Sequence, residues 1–175
     1  MSRTDARNWI VNEVVDDNSF PVCQFFYSLG LLGYTGTYNI TNNSVITDKL
    51  ANADSYANKT IKNRLAEGIT SGSNGTTAFK KKTDTDLYRA FGGGVDFSWS
   101  VDSIDEDTGT INVKVHITDS FDFHEGGGKR DFWGEKLTSI GRKAGLSSFK
   151  IEGSYTLSVK LSSEQIEAIK AQIND

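Results

Sequence analysis

The sequence predicts a single α+β domain: a curved, mainly antiparallel sheet, open like half a barrel, packed against helices. Two runs of strict alternation carry that expectation. Val95, Phe97, Trp99 and Val101 alternate with Asp96, Ser98, Ser100 and Asp102, and Ile111, Val113, Val115 and Ile117 alternate with Asn112, Lys114, His116 and Thr118. Such alternation turns one face of a strand to a core and the other to water. The second observation is order, since helix-period segments precede, separate and follow the strands without the regular alternation of a parallel sheet. The third is size: 175 residues, 37% hydrophobic and 11% aromatic, suffice for one packed core and argue against disorder.

Residues 1–47 are the less regular part and are expected to pack partly on a domain formed by residues 48–175. Their polar start, residues 1–8, carries charges of both signs and is not followed by the apolar region of a cleaved leader. The apolar stretch 20–34 is interrupted by Gln24, Ser28 and two glycines, short of the ~18 continuous apolar residues of a membrane span. Cys23 is the one cysteine, which excludes an internal disulfide and a paired-cysteine zinc site and leaves a buried thiol as its expected state.

Leu50, Ala53, Ala57, Ile61, Leu65 and Ile69 recur at three- and four-residue steps, the pattern of one core-facing helix, with Gly68 as its stop. Residues 71–75, Ser-Gly-Ser-Asn-Gly, read as a loop. The alternating runs follow, joined by the polar turn 105–109 into a hairpin. A helix is predicted over residues 131–143, closed by Gly145, then a strand over 148–160 with Gly153 as a bulge or bend. The last helix spans about 163–173. Ser162 and Gln165 have capping-box spacing, and Ile166, Ile169 and Ile173 form an apolar stripe.

A net charge of -4 argues against a general nucleic-acid binder, which would show a basic surplus. The basic run at residues 80–82 reads as a solvated strand end. Sequons at Asn39, Asn42, Asn58 and Asn74 follow from an Asn- and Thr-rich composition. His116, on the polar side of its strand, is given no role.

The segment with the chemistry is residues 119–130, Asp-Ser-Phe-Asp-Phe-His-Glu-Gly-Gly-Gly-Lys-Arg. It follows a strand, precedes a helix, and gathers carboxylates, an imidazole and cations around three glycines. Carboxylates hold Mg²⁺, arginine grips phosphate oxygens in two places, and glycines let backbone N–H groups approach a phosphate. By composition alone the same segment also reads as a polar connection ahead of a helix.

Asp119-Ser-Phe-Asp122, then Arg130, then Gly134-Glu-x-Leu137-Thr138-x-Ile140-Gly141 resembles the active segment of colicin M-type bacteriocins. In that family Asp-x-Tyr-Asp is followed by a short spacer, His-Arg and a helix opening Gly-Glu-x-Leu-Thr-x-Leu-Gly. The similarity extends to the region around Ile61 and Leu65, the phrase Asp86-Leu-Tyr-Arg-Ala-Phe-Gly92, the hairpin and the closing strand. It covers roughly residues 50–160, and more weakly residues 27–33. The chain departs at Phe121, where the family has tyrosine, and at Lys129, where it has histidine, and its spacer is one residue longer.

The resemblance implies a lipid II-degrading toxin module, a Mg²⁺-dependent phosphodiesterase that splits the undecaprenyl chain of this peptidoglycan precursor from its pyrophosphate. By residue, it implies Asp119 and Asp122 as metal ligand and base, and Arg130 as the group that stabilises pyrophosphate charge. His124 and Lys129 are the candidates for the proton shuttle supplied by the family's histidine. The alternative is a divergent module of the same fold that binds a lipid pyrophosphate or a protein partner without turnover. The expected partners are lipid II or a related polyprenyl pyrophosphate and an immunity protein. Contact with the membrane would be peripheral only, through Phe132 and Trp133. The module is expected to be a monomer, delivered from its producer and acting in the periplasm of a target bacterium.

Overall fold

The first helix opens on a reciprocal cap. In the computed structural model, which describes residues 1–92, 94–123 and 131–175, the Asp5 N–H donates to the Ser2 hydroxyl and the Ser2 N–H donates to the Asp5 carboxylate. Helix α1 (Arg3–Ile10) continues into a π-helical turn (Val11–Val15), and Ala6, Ile10 and Val14 are buried along it. Residues 1–8 thus belong to a helix where their composition suggests only a polar start. Helix α2 (Pro21–Leu31) takes up most of the apolar stretch, with Pro21 in its first turn, where no N–H is needed. Strand β1 (Thr37–Asn39) and helix α3 (Ser44–Asn52) follow. The latter crosses the junction at residues 47 and 48.

The expected single helix from residue 48 to Gly68 is two helices, α3 and α4 (Tyr56–Ala66). Their break is held by polar groups. The Asn58 N–H donates to the Ser55 hydroxyl at 3.1 Å, and the buried Asn58 amide donates to the Leu50 and Ala53 carbonyls at 2.9 and 3.0 Å. Tyr155 OH donates to the Asn58 carbonyl oxygen at 2.8 Å, so every part of this buried amide is answered and its sequon is inaccessible. The apolar period runs through the break because both helices face the same core.

The glycine-rich segment expected as a loop is strand β2 (Ser71–Thr77). It has no apolar face of its own. Its glycines instead make room for the rings of the next strand: a Cβ at Gly72 would lie 2.6 Å from Trp99 Nε1, and one at Gly75 2.5 Å from the Phe97 ring. Thr77 closes this strand by accepting from the Ala57 N–H at 3.1 Å, which ties β2 to the start of α4.

Helix α5 (Thr85–Phe91), strands β3 (Val95–Asp105) and β4 (Thr110–Phe121), helix α6 (Phe132–Ala144), strand β5 (Phe149–Lys160) and helix α7 (Ser163–Ile173) complete the fold. The sheet order is β1-β5-β4-β3-β2, with β1 parallel to β5 and every other pair antiparallel. It is a mainly antiparallel, open sheet packed against helices, as the alternation predicts. Phe97, Trp99, Val113, Val115, Leu157 and Val159 all face the buried side. The β4–β5 register runs through Gly153 without a shift, so no bulge exists in that pairing. Gly153 answers a close approach instead, with φ at +136° and the Asn39 side chain 2.7 Å from where its Cβ would stand. The register shifts lie elsewhere, between Val101 and Ser103 against β4 and between Gly72 and Gly75 against β3.

One continuous core includes Ile10, Phe26 and Ile40 from the first 47 residues together with Ile61, Val115 and Ile169. Ile173, expected in the last apolar stripe, is exposed, while Ile166 and Ile169 are buried. The Cys23 thiol is buried, and burial with the nearby Asp86 carboxylate pushes it up to about 12. Among the described residues no helix is long and apolar enough to cross a membrane.

Candidate functional site

Strand β4 delivers the acidic residues. Its inward parity runs Val115, Ile117, Asp119, Phe121, so Asp119 points toward the helices, half-buried at the edge of the core. Phe121 is locked behind it in an aromatic cluster, with ring centroids 5.2 Å from Tyr27, 5.1 Å from Phe123 and 4.9 Å from Phe149. Asp122 follows directly where the strand ends. Both carboxylates line one cleft of about 900 Å³, counting its open mouth, between the end of β4, helix α5, the start of α6 and the loop after β2.

Helix α5 brings Tyr88 and Arg89 to the same cleft. Its position is fixed by Asp86, a buried carboxylate one turn away on the core side. Asp86 accepts from the N–H groups of Val22 and Cys23 at 3.0 and 2.8 Å, capping α2, whose own N-cap residue Phe20 makes no side-chain cap. Lys49 Nζ completes the set at 2.8 Å. The Arg89 guanidinium then lies 4.1 Å from the centre of the Phe20 ring, a cation–π contact that leaves its edge for polar partners.

Helix α6 enters the cleft with its N-terminus. Asp131 is its N-cap, accepting from the Gly134 N–H at 2.9 Å, and is ion-paired with Lys81. The Lys81 contact and the Gly134 N–H hold the Asp131 carboxyl below its ordinary range, and the same pairing raises the Lys81 ammonium. The Thr138 hydroxyl, which also lines the cleft, donates to the Gly134 carbonyl at 2.8 Å. Trp133 forms part of the wall while remaining 46% exposed, and its neighbour Phe132 is 78% exposed. The result is a cleft lined by Asp119 and Asp122 from the sheet, Arg89 from α5, the Lys81–Asp131 pair and a partly exposed indole.

Of the residues expected in the site, Asp119 and Asp122 meet in this cleft. His124, Lys129 and Arg130 lie outside the described residues. Among the described residues no three His, Cys, Asp or Glu side chains gather as a metal-holding group. His116 stands on the exposed side of β4 with Nδ1 3.3 Å from the Ser154 hydroxyl, away from the cleft.

The sequence reading missed two cations that line the cleft with these carboxylates, Arg89 and Lys81. Arg89 belongs to the phrase Asp86–Gly92, so a signal for it exists. Lys81 corrects the reading of residues 80–82 as a solvated strand end: Lys80 does pair at the surface with Asp54, but Lys81 borders the cleft. No known protein family matches the chain, and neither does any curated protein or solved structure.

Proposed function

We propose that this chain is a divergent colicin M-type toxin module that hydrolyses lipid II or a related polyprenyl pyrophosphate. Water would cleave the bond between the lipid and the pyrophosphate, releasing a polyprenol and leaving the pyrophosphate on the sugar fragment. One observation carries the proposal. Asp119 and Asp122, the acidic pair matched to the family's motif, share a cleft with Arg89 and with the helix that bears the Gly-Glu-x-Leu-Thr phrase.

The donor set fits the ion that the resemblance implies. Mg²⁺ is commonly held through one or two carboxylates, water and the substrate's own phosphate oxygens, so Asp119 and Asp122 would suffice without an all-protein cage. When bound it would neutralise charge on the phosphates. The residues of the chain divide the remaining work. Arg89 faces developing phosphate charge with a guanidinium already oriented by Phe20, and Arg130 would add a second such group. Asp122, at the strand end, would take the proton of the attacking water, with His124 or Lys129 passing a proton onward. Phe132 and Trp133 would rest against the bilayer that carries the substrate, with no spanning segment required. An immunity protein that covers this cleft, delivery from a producer and action in a target's periplasm complete the proposal.

A second reading, binding without turnover, draws on Phe121. Its ring sits in the aromatic cluster and offers no hydroxyl where the family has one. Incubation of the purified protein with lipid II and Mg²⁺ separates the two. Release of polyprenol, reduced at least 100-fold in Asp122→Ala with the circular dichroism spectrum retained, is expected of the hydrolase. Retention of lipid II with no polyprenol released would establish the binding module instead.

A further inference from the structure

Beside the charged cleft runs a second groove of about 610 Å³, counting its open mouth, and the two share Arg89, Trp133 and Leu137 as a common wall. Beyond that wall Trp9, Val14, Phe20 and Cys23 supply apolar surface, and Glu13 and Asp17 supply polar surface beside them. We propose that this groove receives the hydrocarbon chain of a phosphate-bearing lipid whose head group occupies the cleft, with Arg89 at the join. The inference rests on the phosphate-ester reading of the cleft, and adds to it the place and the residues that recognise the chain.

Three observations support it. Arg89 touches both environments, since its guanidinium covers the Phe20 ring on the groove side while the same residue lines the cleft that holds Asp119 and Asp122. A side chain in that position suits the point in an amphiphile where charge gives way to hydrocarbon. The lip of the groove is braced as well: Lys136 Nζ lies 5.2 Å from the Trp9 ring centre and 4.9 Å from that of Trp133, so one ammonium bridges the indoles of α1 and α6. The floor comes from the π-helical turn, which supplies buried Val14, and such turns are frequent at functional sites.

Two carboxylates, Asp17 and Glu13, also line the groove. Asp17 is engaged, accepting from the Ser19 N–H at 3.0 Å, and its carboxyl is lowered by Ser19 and, to a lesser extent, by Arg89. Glu13 is exposed at the rim, where it keeps its water. Flat aromatic walls with a few polar groups at one end are the usual lining for such a ligand.

The chain's three tryptophans make the test direct. Protein labelled with ¹⁵N at the indoles would be titrated with inorganic pyrophosphate, farnesol and farnesyl S-thiolodiphosphate, a short isoprenoid diphosphate analogue that resists cleavage. The expected result is that the analogue moves the Trp9 and Trp133 indole signals, leaves Trp99 in place, and binds at least 10-fold more tightly than pyrophosphate. Trp9→Ala and Phe20→Ala should each reduce that ratio to below about 3. A Trp9 signal unmoved at saturation, or equal affinities for analogue and pyrophosphate, would overturn the groove while the cleft kept its phosphate. Absence of pyrophosphate binding, together with farnesol moving Trp9 as strongly as the analogue, would overturn the phosphate-ester reading and the joined site with it.

Discussion

A Cβ at position 141 would stand 2.4 Å from the Phe123 ring, so the last glycine of the α6 phrase is a contact surface. Phe123 packs edge-on against Tyr27 and Phe121, and it carries the backbone that presents Asp122. The phrase Gly134-Glu-x-Leu137-Thr138-x-Ile140-Gly141 is therefore a packing code as much as a chemical one. Gly134 answers the Asp131 cap, Leu137 and Thr138 line the cleft, Ile140 enters the core, and Gly141 seats the end of β4. Gly141→Ala should cost about 1–3 kcal/mol through overpacking, which outweighs the roughly 1 kcal/mol that alanine gains in a helix interior. Urea unfolding reads this directly, and a stabilised variant would show that Phe123 moves aside freely. At this scale Asp119 was legible through the segment 119–130 and the resemblance it carries, but its place in the strand was not: β4 continues to Phe121, which puts Asp119 on the inward parity of Ile117 where a segment after the strand was expected. Arg89 carried a signal in the phrase Asp86–Gly92, but its place in the cleft was not legible, because its partner ring, Phe20, is 69 positions away in the chain and only the tertiary fold brings them together.

Three helices converge on one carboxylate. Asp86 of α5 accepts from two N–H groups of α2 and from Lys49 of α3, and it lies almost wholly out of water. Truncation to alanine would strand two buried N–H donors, each costing about 1–3 kcal/mol, so Asp86→Ala should lose about 2–4 kcal/mol of stability. Because the same helix carries Tyr88 and Arg89, affinity for pyrophosphate should fall alongside the thermal midpoint. An unchanged affinity in the folded variant would show that α5 is held elsewhere. Elements were legible where local pattern and tertiary role agree, as in β3 and β4, whose alternation follows from one dry face, and in α7, whose Ser162–Gln165 cap forms as spaced. They were illegible where a neighbour supplies the reason. The break between α3 and α4 is enforced by Asn58 and Tyr155, and β2 exists because β3 presents rings that only glycine admits. The first helix was legible in principle, since Ser2 with Asp5 and the buried series Ala6, Ile10, Val14 carry its start and its face.

Over the whole molecule, the first fifteen residues act as part of the core. Ile10 is fully buried, and Arg3 and Arg7 donate to the Ala144 carbonyl at the C-terminus of α6, at 3.4 and 3.3 Å. Removing residues 1–15 should cost more than about 3 kcal/mol, since burial of a single isoleucine contributes about 1.5–3 kcal/mol before the lost caps are counted. A truncated protein with an unchanged thermal midpoint would show that α1 is an independent appendage.

The pairing of α1 with α6 and of β1 with β5 has a temporal consequence as well. Residues of the cleft run from Tyr27 to Thr138, and β5, which flanks β4 along its length, comes later still. On a ribosome that emits the chain from its N-terminus, Phe26 meets its sheet partners Phe121 and Phe149 only after 95 and 123 further residues have emerged. A chain made only as far as Asp122 has both carboxylates and Arg89 but lacks α6 and β5, so whatever chemistry the finished protein performs is absent for most of its own synthesis.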